Sequence, residues 1–150
     1  MNASIPDVTM GHLLEEYATL EYILLGDVRD LLDDPVDETT CKWLLAVLDA
    51  LLDTLPREFA LRDSGGYLSE VLELYPNWSG QVDHLRSERD LLYEKLQQLR
   101  QRVAQDASFT QIAADLRGDL CDWMQSFVAH HRHERRIVHV AYTLDVGTGD

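Results

Sequence analysis

Apolar residues recur three and four positions apart along nearly the whole chain, the repeat of a helix face rather than the alternation of a strand. A first stretch from about Thr9 to Leu32 places Leu13, Tyr17, Leu20, Leu24, Val28 and Leu31 on one stripe. Asp33-Asp34-Pro35 stops it, because proline cannot extend the hydrogen-bond ladder and constrains the residue before it. A second stretch opens near Asp37, an N-cap type residue, with Glu38 in the first turn. Its stripe is Leu44, Leu48, Leu51, Leu55, Glu58 and Arg62. Pro56 lies inside this run and predicts a kink, or a restart with Thr54 or Leu55 at the break. Ser64-Gly65-Gly66 then ends or bends the element.

Tyr67 to Tyr75 reads as a short helix, closed by Pro76-Asn77 and a Ser79-Gly80 turn. A third long helix is predicted from about Gln81 to Gln105, with Val82, Leu85, Arg89, Leu92, Leu96, Leu99 and Val103 in strict 3-4 alternation. After a loop at Asp106 to Ser108, a fourth runs from about Phe109 to Tyr142. Its stripe is Leu116, Leu120, Trp123, Phe127, His130, Glu134, Ile137 and Ala141. Four long helices with short connections, each apolar on one stripe, predict an all-α, up-down-up-down four-helix bundle. A short extra helix sits between the second and third. The reading is one domain over residues 1–150, with an ordered core of about 9–142 and a tail at 143–150.

Six residues occupy stripe positions that should be apolar. They are Tyr17, Glu58, Arg62, Arg89, His130 and Glu134, with at least one on each long helix. Charged groups are rarely buried unless paired or bound to metal, so these predict one polar layer across the bundle interior. Two spacings, Glu58 with Arg62 and His130 with Glu134, are i, i+4 on one helix face. Arginine stays protonated and offers no lone pair to a metal. Glu58 and Glu134 balance Arg62 and Arg89, so the layer is neutral as it stands. An internal ion-pair network is therefore the first expectation. An ion held by Glu58, His130 and Glu134 is the alternative.

Composition narrows the function. Against 13 Lys and Arg stand 27 Asp and Glu, for a formal charge of −14 and a pI near 4.6. Such a chain repels phosphate backbones and anionic lipid, which argues against nucleic-acid and membrane-surface partners. Residues 1–40 hold 10 acids and a single base, Arg29, which reads first as a solvated acidic face and otherwise as a binding face for a basic protein partner. The longest apolar run is cut by Asp49 and Asp53, so no membrane span is predicted. Met1-Asn2-Ala3-Ser4 lacks a signal-peptide layout, and Cys41 and Cys121 make no disulfide framework. A cytoplasmic protein is expected.

The interrupted positions also resemble a family. Glu58-Phe59-Ala60-Leu61-Arg62-Asp63-Ser64-Gly65-Gly66-Tyr67-Leu68 resembles the HFxxEExxGYL segment of bacterial hemerythrin-like (HHE) domains. Leu85-Arg86-Ser87-Glu88-Arg89 resembles their LxxEH, and Leu14-Glu15-Glu16-Tyr17 their first LxEH. His130 to Glu134 resembles the fourth-helix HxxxE, and Ala141 to Asp150 the AxxxDxGxGD tail. The resemblance spans about Leu13 to Asp150 and implies a four-helix bundle holding two non-haem irons for oxygen binding, iron sensing or repair of iron centres. Carried over by position, it puts Tyr17 at the first-helix histidine. Glu58 and Arg62 stand at the second-helix histidine and glutamate, and Arg89 at the third-helix histidine. His130 and Glu134 alone keep the family's residues. The resemblance thus implies a hemerythrin-like scaffold with a rewritten metal site.

The remaining candidates carry less. His131, His133 and His139 flank Arg132, Arg135 and Arg136 and read as surface histidines. His84 points away from the layer, and His12 with Glu16 makes an i, i+4 pair near a chain end. Trp78 marks either a contact surface or a local plug. Neither cysteine has a nearby histidine, and no phosphate loop or nucleophile elbow occurs, so no enzyme is predicted. The expectation is a non-enzymatic, metal-free protein acting through a protein partner or self-association. The alternative is a non-haem iron or oxygen-binding protein with a ligand-poor site.

Overall fold

A computed structural model describes residues 5–33, 38–64, 67–105 and 114–148. Five α-helices follow in order: α1 (Ile5–Asp33), α2 (Glu38–Ser64), α3 (Tyr67–Leu74), α4 (Ser79–Gln105) and α5 (Ala114–Thr148), with a 3-10 turn at Pro76–Trp78 before α4. No strand occurs among the described residues. Each long helix packs on the next long helix, and α5 closes the ring on α1 along the loosest seam. Paired residues set the directions. Asp49 meets Arg100 while Asp63 meets Arg89, so α2 and α4 run antiparallel. Arg102 meets Asp119 while Arg89 meets Glu134, so α4 and α5 do too.

The stripes read from the sequence on α2, α4 and α5 are buried faces, whereas on α1 Leu20 is exposed and Glu21 is buried in its place. Every stripe residue on α4, from Val82 to Val103, is buried, and so is every one on α5 from Leu116 to Ala141. They form two apolar clusters. One gathers Leu24, Val28, Leu55, Leu92, Trp123 and Phe127 among others. The second gathers Leu68, Val71, Val82, Leu85, Ile137, Val138 and Ala141 under α3. The gap between the clusters is where the polar residues lie. The short helix α3 matters here because it roofs the second cluster. Trp78 stacks on Tyr75 at 5.1 Å and packs against that cluster, which makes it a local plug.

Four boundaries differ from the sequence reading, the first being that α1 begins at Ile5 rather than near Thr9. Pro56 neither breaks nor restarts α2, which is continuous through it. Proline removes the N–H that the Leu52 carbonyl would accept, and the Tyr93 hydroxyl of α4 donates to that carbonyl instead, at 3.2 Å. Ser79-Gly80 belongs to the first turn of α4 rather than to a separate turn. Helix α5 continues to Thr148 instead of giving way to a tail at 143, since each added residue gains one more ladder bond. The predicted start of α5 at Phe109, the loop at 106–108, and the side chain of His12 lie outside the described residues. Among the described residues no helix is long and apolar enough to cross a membrane.

Candidate functional site: a buried ion-pair layer

Glu58, Arg89, His130 and Glu134 are all but fully buried, as the broken stripes require, and Arg62 is nearly so. Glu58 and Arg62 sit one turn apart on α2, so the Arg62 Nε donates to Glu58 Oε1 at 2.9 Å. The same guanidinium crosses to α5, where Nη1 donates to Glu134 Oε2 at 2.9 Å. Arg89 of α4 reaches the other oxygen of that carboxylate, its Nη2 donating to Glu134 Oε1. Its Nη1 donates to Asp63 Oδ1 at 2.9 Å, and its guanidinium lies 5.0 Å from the centre of the Phe59 ring. Glu134 is therefore clamped by two arginines from two different helices. Charge-assisted pairs of this kind are the strong ones, provided that both partners stay.

Two members of the sequence-predicted layer are placed differently. Tyr17 is half-buried, and Glu21, one turn further along α1, brings that helix into the layer. His130 turns toward α4, its Nδ1 2.5 Å from Glu88 Oε1. The trio Glu58, His130 and Glu134 accordingly does not converge on a common point. A different trio does. Glu21, Glu58 and His131 bring ligand atoms within 4.8 Å of one another, from α1, α2 and α5.

His131 corrects the sequence reading outright, because it is no surface histidine. Its side chain is 12% exposed, its Nε2 is 2.6 Å from Glu21 Oε1, and its ring meets Phe127 edge-on at 4.5 Å. His133 and His139 are exposed as expected. His84 is exposed as well, 3.8 Å from Glu88. The signal for His131 was available, since it follows buried Phe127 by four residues and so shares its face.

With Glu21 counted, three buried acids face two buried guanidinium groups, and the layer is not neutral after all. Burial and the facing Glu21 carboxylate push the Glu58 carboxyl up to about 8. Burial raises Glu21 too, which favours a proton held between the two carboxyls. Burial pushes both His130 and His131 below the usual histidine value, which keeps their rings neutral there. The layer can store charge, orient a proton and hold a cation. Among the described residues it presents no nucleophile with a base beside it.

A second surface feature lies on the loose α1–α5 seam. A groove of about 590 Å³ is lined by Tyr22, Leu25, Met124 and Val128, with Arg29 and Arg132 at its edge. Tyr22, Ile23 and Val128 are exposed large apolar side chains on the same two helices.

Compared with family models, with curated proteins and with solved structures, the chain matches none.

Proposed function

We propose that this chain is a hemerythrin-like bundle in which an ion-pair layer stands where the family holds two irons. Its role is to bind a partner or a second copy of itself, rather than to carry out oxygen or iron chemistry. The observation that carries this reading is the double clamp on Glu134 by Arg62 and Arg89. In the register given by the resemblance, those arginines stand at a carboxylate and a histidine ligand of the iron pair. A guanidinium supplies no lone pair and adds a fixed positive charge where the family places cations. Four of the six residues that broke the apolar stripes, Glu58, Arg62, Arg89 and Glu134, thus pair with one another across three helices.

A binding role draws support from the α1–α5 seam, where exposed Tyr22 and Val128 line the groove. Contiguous apolar surface of this kind marks association sites more often than chance exposure does. The basic residues Arg29 and Arg132 at its edge favour an occupant with acidic groups, in an otherwise strongly acidic chain. The protein belongs, on this reading, in the cytoplasm, where Cys41 and Cys121 stay free thiols.

Elemental analysis with a visible spectrum tests the proposal. As isolated and after anaerobic Fe(II) loading, the protein should lack two bound irons per chain and show no oxo-bridged di-iron absorption. Two tightly held irons per chain would overturn it.

A further inference from the structure

Glu21 and Glu58 are carboxylates from different helices, both buried, and each leaves its Oε2 without a hydrogen-bond partner among the described residues. The His131 Nε2 is in the same condition: it approaches Glu21 Oε1 at 2.6 Å without hydrogen-bond alignment. Three electron-pair donors therefore lie within 4.8 Å of one another. Two buried carboxyls facing each other are relieved either by a proton held between them or by a cation that displaces it.

We propose that Glu21, Glu58 and His131 form a mononuclear site for a divalent transition-metal ion of the zinc or ferrous type. One imidazole nitrogen and two carboxylate oxygens are a donor set such borderline ions accept, with the fourth position left to water. An ion at about 2.1 Å from each donor spaces tetrahedral ligands about 3.4 Å apart. Shifts of about an ångström close the present group, whose atoms lie within 4.8 Å. The neighbours suit the task. Arg62 holds Glu58 by Oε1 and leaves Oε2 to the site. Glu134 Oε2 lies 3.9 Å from His131 Nδ1, beyond hydrogen-bond reach, on the far side of the ring from the donor nitrogen. His131 is slightly exposed, which gives an ion a way in.

Glu58 occupies a ligand position that the family resemblance assigns, but Glu21 and His131 fall outside those positions, so variants at these two test this site separately from the functional reading. The full chain, stripped with chelator, is titrated anaerobically with Zn²⁺ alone and with Co²⁺ alone. One ion should bind per chain, with a raised melting midpoint and visible Co²⁺ bands of a four- or five-coordinate ion. Glu21→Gln and His131→Gln should each weaken binding at least about tenfold, while His133→Gln leaves it unchanged. Glu21→Gln keeps the shape and removes a buried like charge, so the metal-free variant should melt no lower than wild type. No one-to-one binding by wild type, or full affinity in Glu21→Gln, or an equal loss in His133→Gln, would refute the site. Two irons bound per chain would count against the functional reading and leave this one to the Glu21 and His131 variants.

Discussion

Arg62 spans from α2 to α5, its Nη1 donating to Glu134 Oε2 at 2.9 Å while its Nε holds Glu58 Oε1 at 2.9 Å. Arg89 completes the clamp from α4. Removing Arg62 leaves buried Glu58 without its cation, and removing Arg89 leaves one oxygen of buried Glu134 unpaired, in both cases between two apolar clusters. Arg62→Met and Arg89→Met should therefore each destabilise the protein by about 3–5 kcal/mol. Denaturant titration reads this directly. Replacing Glu21, Glu58, Arg62, Arg89 and Glu134 together by apolar residues of similar volume should be close to neutral, because the desolvation cost disappears with the charges. Single substitutions costing under about 1 kcal/mol would mean that water reaches the layer.

The shared proton makes stability depend on pH with an unusual sign. Glu58 has a folded value of about 8, above its unfolded value, so its contribution is fully present below about 4.5 and is lost as pH rises toward 8. His130 and His131 are shifted down, so their contribution grows with pH and is complete by about 6.5. Above pH 6.5 only the carboxyl effect remains. With chelator present, stability should fall between pH 6.5 and 8 by up to about 2 kcal/mol. Glu21→Gln should flatten that fall, since its amide can donate to an ionised Glu58. Melting curves across this range check both statements, and a rise in stability from pH 6.5 to 8 would contradict the shared proton.

Tyr93 answers for Pro56. Its hydroxyl donates to the Leu52 carbonyl, the acceptor that proline leaves without an N–H. Tyr93→Phe should cost about 1 kcal/mol. In a Pro56→Ala background the backbone N–H is restored, and the same change should cost much less. A double-mutant cycle measures that coupling. Equal costs in both backgrounds would show that the tyrosine packs α4 on α2 without compensating for the proline.

The stripes of α2, α4 and α5 were legible because each mixes apolar and charged residues on a single unambiguous face. Helix α1 was not so clear. Positions 20 and 21 are both one turn from Tyr17 and from Leu24, and hydrophobicity favours Leu20. The fold instead buries Glu21 and leaves Leu20 40% exposed, because Glu21 faces Glu58 and His131. A 3-4 repeat cannot choose between neighbouring registers when the interior is polar. His131 was missed for a related reason. Helix α5 packs on both α4 and α1, so its buried face is wider than one stripe. His130 takes the α4 side and His131 the α1 side. The proton between two acids has no sequence signature, since it depends on a distance between helices. The hydrogen bond that rescues Pro56 is hidden in the same way.

If the scaffold is hemerythrin-like, restoring the ligands should restore iron. The combined change Tyr17→His, Glu58→His, Arg62→Glu and Arg89→His places three imidazoles and one carboxylate at the positions that the resemblance assigns. It removes both buried guanidinium groups and frees Glu134, now clamped by them, for a metal. Iron affinity should rise well above wild type, with His130 and Glu134 as the native part of the site. The structure adds one obstacle and its remedy. His130 is turned toward Glu88 and must swing inward, so adding Glu88→Ala should strengthen iron binding further by releasing that ring. Because Glu58 is consumed, the gain cannot come through the trio with Glu21 and His131 in its native form. Anaerobic Fe(II) titration followed by exposure to oxygen reads both affinity and the appearance of di-iron absorption. A quadruple variant that folds as a stable helical protein yet binds iron no better than wild type would sink the register assigned to all four helices.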